Sequence, residues 1–132
     1  MSHRILQPAA WARPKGYANA VVARGRTIYL AGQIGWDAQQ RFVGSDLVTQ
    51  ARQALRNIVD LLAEGGARPE HIVRLTWYVT DRAAYLAAGA ALGAAYREVL
   101  GKHFPAMTAV EVSSLMEAEA VVEIEATAVV PE

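Results

Sequence analysis

The chain has 132 residues, 13 basic and 13 acidic side chains and no cysteine, a length that fits one domain but not two ordinary cores. A hydrophobic content of 53% excludes a disordered chain, and the missing cysteines exclude a disulfide scaffold, a thiolate nucleophile and any cysteine-built metal centre. Zero formal net charge argues against strong non-specific nucleic-acid binding, whose affinity comes mainly from neutralising phosphates.

Tyr17–Ala23 and Thr27–Gly32 read as two strands joined as a hairpin through Arg24-Gly25-Arg26, with a short strand near Arg41–Val43 after them. From Asp46 the period changes. Val48, Ala51, Leu55, Ile58, Leu61 and Leu62 recur at helical spacing, with Gln50, Arg52, Gln53, Arg56 and Asn57 on other faces. Ser45 or Asp46 caps this helix, and Gly65-Gly66 ends it where a left-handed residue is wanted. Val73–Val79 reads as a strand. Asp81 caps a second helix over Ala83–Leu100 that stops at Gly101, and Met107–Val112 and Ala120–Val130 are the last two strands. The order is ββαβαββ, an α+β sheet with two helices.

Two helices cover one face of such a sheet. Leu75–Val79 and Ile28–Ala31 read as apolar on both faces, so a second subunit is expected over the uncovered one. The domain is expected to span residues 1–132, with its core at about 15–131. No apolar run of signal-peptide length precedes Arg13. Ala83–Tyr96, the longest stretch free of strongly polar side chains, is too short at about 1.5 Å per residue to cross a bilayer core of roughly 30 Å. A cytoplasmic location is the expectation, without a membrane partner.

Familiar site signatures are missing. Gly32 to Gly35 lacks the spacing of a phosphate-binding loop. His3, His71 and His103 stand far apart without metal-ligand spacing and read as surface or loop residues, so no metal is expected. Ser113-Ser114 lacks the glycines of a nucleophile elbow. Carboxylates on strands remain: Glu111, and Glu123 with Glu125 on one face of the last strand. A carboxylate among Val121, Val122, Ile124 and Ala126 is poorly solvated, and burial raises its pKa toward the range useful for acid–base work. An ion pair at a subunit seam explains Glu123 equally well.

Gly16-Tyr17, Ala31-Gly32-Gln33-Ile34, Gln50–Ile58, Phe104-Pro105-Ala106, Val110-Glu111-Val112 and Val122-Glu123-Ile124-Glu125-Ala126 occur in this order. Together they resemble the YjgF/RidA family, also called L-PSP, over nearly the whole chain. The resemblance implies a chorismate-mutase-like ββαβαββ fold, with two helices on one face of a mixed sheet. It also implies a homotrimer whose sheets form a central β-barrel, with ligand clefts between subunits. It further implies cofactor-free hydrolysis of reactive imines and enamines, such as 2-aminoacrylate, to 2-keto acids and ammonia.

Carried over residue by residue, the resemblance makes Glu123 the catalytic group that positions water. Tyr17, Ala31, Gly32, Gln33, Trp77 and Met107 become the substrate-binding set. Met107 stands where the family carries a carboxylate-gripping arginine, and a thioether cannot make that bidentate bond. Ala31 replaces a usual serine, Gly93 falls near a usual asparagine, and Arg13, Lys15, Arg24, Arg74, Arg97 and His103 are candidate substitute cations. Two readings follow: a divergent imine or enamine deaminase that does not act on 2-aminoacrylate, or a non-catalytic trimer that binds a metabolite or a protein. The ribonuclease activity ascribed to some members fits poorly with neutral charge and no basic–aromatic stripe.

Overall fold

A computed structural model describes residues 3–132; Met1 and Ser2, included in the expected domain, lie outside the described residues. In chain order the elements are β1 (Arg4–Leu6), β2 (Ala20–Val22), β3 (Arg26–Gln33), α1 (Leu47–Glu64), a 3₁₀ turn (Pro69–His71), β4 (Ile72–Val79), α2 (Arg82–Ala87), α3 (Gly89–Leu100), β5 (Ala106–Glu111) and β6 (Val122–Val130). The main sheet runs β3-β6-β4-β5. Only β4 and β5 are parallel, and α2 and α3 supply the crossover that a parallel pair requires. The α+β class, the mixed sheet and the helices on one face match expectation.

Three expected elements change. The expected hairpin does not form: β2 pairs with β1, while β3 pairs with β6. At the intended turn, Gly25 has φ +148, and a Cβ there would strike the Val130 carbonyl, so the chain crosses the end of β6 instead of doubling back. The second helix is two, broken at Ala88 (φ −90, ψ 10) before Gly89. The expected strand near Arg41–Val43 reduces to a single bridge between Trp36 and Phe42.

Asp46 accepts the Thr49 N–H at 3.0 Å to cap α1, and Asp81 accepts that of Ala84 at 3.0 Å to cap α2. The buried face of α1 (Ala51, Ala54, Leu55, Ile58, Leu62) packs on Leu75, Val122, Ile124 and Ala126 of the sheet. Gln50, expected on a polar face, is fully buried. Its Nε2 donates to the carbonyls of Gly44 (3.0 Å) and Glu119 (2.9 Å), and its Oε1 accepts the Val121 N–H (2.9 Å). Asn57 donates to Ile34 O (3.2 Å) and Trp36 O (2.9 Å). Two polar side chains of α1 therefore hold the end of β3 and the entry to β6.

Strand alternation sorts the sheet faces. Leu75, Trp77, Val79, Val122, Ile124 and Ala126 face the helices and are buried. The opposite face carries Thr76, Tyr78, Thr108, Val110, Glu123, Glu125, Thr127 and Val129, with Tyr29 and Val110 exposed. It is mixed. The expectation of a continuous apolar patch there is thus corrected: the apolar members of Leu75–Val79 and Ile28–Ala31 mostly point inward.

Candidate functional site

The sheet divides the expected site residues into two groups. On the open face, Glu123 lies beside the end of β3. Between β3 and β6 the register shifts, from Leu30 opposite Ala126 to Gln33 opposite Ile124, so β3 carries one extra residue there. At this bulge Gly32 turns its missing side chain toward Glu123. A Cβ on Gly32 would fall 2.8 Å from Glu123 Cγ and closer still to the carboxyl group. Ala31 is exposed beside it, and Gln33 spends its amide on the Ala31 carbonyl at 3.1 Å.

Burial, and then the neighbouring Glu125, push the Glu123 carboxyl above its ordinary pKa, with no hydrogen bond or cation opposing the shift. Glu125 differs. It accepts the Tyr78 hydroxyl at 2.6 Å, which holds the Tyr78 pKa up. Glu111 accepts the Arg82 N–H at 2.7 Å beside the α2 cap. Of the three strand carboxylates, Glu123 alone is left without a partner among the described residues. Among the described residues Glu123 makes no ion pair within its own chain; the alternative of a pair at a subunit seam concerns contacts between chains.

On the helix face, Trp77 and Met107 line a cavity of about 440 Å³ between the sheet and the α2–α3 segment. Lys15, Gly16, Gly93 and Arg97 border it. Tyr85, on α2, meets Trp77 edge-on with ring centroids 6.2 Å apart. The Trp77 indole N–H is buried without a hydrogen-bond partner. Tyr17, just after Gly16, is 41% exposed; the next residue, Ala18, is tied to the start of β5 through its N–H to Pro105 O at 3.0 Å. Glu123 and Met107 therefore sit on opposite faces of one sheet, and a single chain does not bring them together.

The cavity and the helix behind it add residues that sequence reasoning does not single out. Tyr85 reads in the sequence only as part of an apolar stripe, and Gln50 only as a surface polar group. The weak signal for Gln50 is its place in a run beside Ala51 and Ala54, both fully buried.

The three histidines also converge. His3, His71 and His103, expected as separate surface or loop residues, line one cavity of about 320 Å³ with Phe104 and Pro105. Each commits one ring nitrogen to main chain: His3 Nε2 to Val129 O (2.9 Å), His103 Nε2 to Ile72 O (2.7 Å), and His71 Nδ1 to the Arg68 N–H (2.9 Å). Among the described residues no group of three or more His, Cys, Asp or Glu side chains could hold a metal ion. No described helix is long and apolar enough to cross a membrane.

Comparison with known proteins agrees with this architecture. The family model for endoribonuclease L-PSP matches residues 8–130. A RutC family protein of Synechocystis is 32% identical over 133 residues, covering 99% of each chain. A goat (Capra hircus) protein named 2-iminobutanoate/2-iminopropanoate deaminase is 35% identical over 127 residues, covering 96% of this chain and 89% of that one. Among solved structures, the Rid family protein YyfB from Yersinia pestis superposes with a TM-score of 0.87 at 35% identity, covering 98% of this chain and all of that one. A matching family model over nearly the full length, together with relatives aligned end to end, establishes that the chain belongs to the endoribonuclease L-PSP family, the group of YjgF, RidA and RutC proteins.

Proposed function

We propose that the chain is a cofactor-free hydrolase of imines and enamines, acting in clefts between the subunits of a homotrimer. The observation that carries this reading is Glu123: a half-buried, unpartnered carboxyl group with a raised pKa, laid against the Gly32 main chain. Relatives named 2-iminobutanoate/2-iminopropanoate deaminase support the reaction class. An enamine first gains a proton on carbon and gives up one from nitrogen to become the imine. Water then attacks the C=N carbon while Glu123 accepts a proton from it. Glu123 passes that proton to nitrogen to give the carbinolamine; the hydroxyl proton then moves to nitrogen as the C–N bond breaks, and a carbonyl compound and ammonia leave.

Opposite placement of Glu123 and Met107 supports the intersubunit part of the proposal. A cleft that includes both requires the open face of one copy and the helix face of another. Tyr17, Ala31 and Gln33 would complete its walls. Neutral charge and a carboxylate-centred site favour small molecules over RNA.

The test uses imines generated in solution from amino acids by an amino-acid oxidase, with ammonia release measured. Wild-type protein should accelerate release and Glu123→Gln should not. Met107 favours the competing reading, a binding-only trimer, which would show ligand affinity without acceleration of any imine.

A further inference from the structure

The helix-face cavity holds charges that the open-face carboxylate does not explain. Lys15 and Arg97 border it, and its lining contains no acidic residue. Neither cation has a carboxylate within ion-pair distance among the described residues. The acid next to Arg97 in sequence is committed elsewhere: Glu98 Oε2 meets Arg52 at 3.2 Å and Arg56 at 2.9 Å on α1. The Arg97 guanidinium instead folds back over its own helix. A Cβ on Gly93 would stand 3.2 Å from Arg97 Nη1, so the missing side chain one turn earlier makes that position available.

The remaining wall is apolar and aromatic. Trp77 is 4% exposed with its indole N–H unpartnered, Tyr85 packs against it, and Met107 lies alongside. A cavity of about 440 Å³ is far roomier than a three-carbon molecule needs. Apolar walls beside unpaired cations select an anion with a hydrophobic body. The absence of an acidic side chain selects further, because an ammonium group there would have no counter-charge.

From this we infer that Arg97 is a carboxylate anchor for 2-imino and 2-oxo acids with branched or aromatic side chains, and that the cavity discriminates against the parent amino acids. Arg97 holds the carboxylate through its planar fork, and the body of the ligand lies against Trp77, Tyr85 and Met107. Gly93 sets where the anchor sits. The inference deepens the proposed hydrolase reading and rests on it for the chemistry, but binding is measurable without turnover.

Titration calorimetry on the full-length protein with phenylpyruvate, pyruvate and phenylalanine tests it. Phenylpyruvate should bind at least tenfold more tightly than either of the others, and Arg97→Gln should weaken it at least tenfold with the thermal midpoint unchanged. Gly93→Val is the second variant. It replaces a helix glycine, so folding is preserved, while its branched side chain displaces the guanidinium and should weaken phenylpyruvate in the same direction. Equal affinity for phenylpyruvate and phenylalanine, unchanged affinity in both variants, or no binding at all would each overturn the assignment. Arg97-dependent binding without turnover of any imine would remove the hydrolase reading and keep the anchor. Turnover with unchanged KM in Arg97→Gln would do the reverse.

Discussion

The carboxyl group of Glu123 rests on the main chain of Gly32, across a bulge that gives β3 one more residue than β6. Any side chain at position 32 would occupy the space that the carboxyl group now fills. On the far side of these strands, Gln50 and Asn57 of α1 hold the β6 entry and the loop after β3, so the pair is positioned from a helix that touches neither residue's functional atoms.

Gly32→Ala is therefore expected to move the carboxyl group while leaving the fold in place. The clashing atoms belong to a flexible side chain, which can swing outward. Imine hydrolysis should fall at least tenfold, with a thermal midpoint within a few degrees of wild type. Full activity in the Gly32→Ala variant would show that Glu123 does not act from its present position.

The raised Glu123 pKa has a definite sign in stability. A carboxyl group whose pKa is higher folded than unfolded contributes its stability below the unfolded value of about 4.3, and that contribution is lost as pH rises through the folded value. Glu123→Gln should thus be at least as stable as wild type at pH 7, and the difference should shrink as pH falls toward 4. Denaturant midpoints at both pH values measure this. Greater wild-type stability at pH 7 would point to a structural ion pair in the assembly instead.

Met107→Arg addresses small substrates. Each hydrogen bond to a charged group contributes about 1.5–3 kcal/mol, and about 1.4 kcal/mol is tenfold in rate. Wild-type protein should hydrolyse 2-aminoacrylate at least tenfold more slowly than the Met107→Arg variant. Efficient wild-type hydrolysis would defeat this account of Met107.

Gln50→Leu removes three hydrogen bonds from a fully buried side chain and strands the Val121 N–H and two carbonyls. The expected cost is about 2–4 kcal/mol, seen as a fall of several degrees in the thermal midpoint. Because Val121 leads directly to Glu123, imine turnover at low temperature should fall as well. A variant as stable as wild type would mean that water replaces the amide.

Light scattering should give about 43 kDa, three times the 14.3 kDa chain. A 14 kDa particle at micromolar concentration would remove the intersubunit cleft, and with it any site containing both Glu123 and Met107.

Most element types, the α1 and α2 caps and the presence of carboxylates on strands are legible in the sequence. These follow from local rules: periods of 3.6 and 2, and side chains that bond to main chain a few residues away. The ordered short motifs also suffice to indicate the family. Other features become visible only in the folded chain, because the contacts behind them join distant residues. β1 pairs with β2 in place of a β2–β3 hairpin, and Gly25 passes against Val130, a residue far along the chain. Burial of Gln50 depends on main-chain groups 6 and 69 residues away. The meeting of three histidines, the turn of Arg97 over Gly93 and the placing of Glu123 and Met107 on opposite faces all depend on how helices and strands pack against one another. Periodicity states that a residue alternates; only the packed sheet states what it alternates toward.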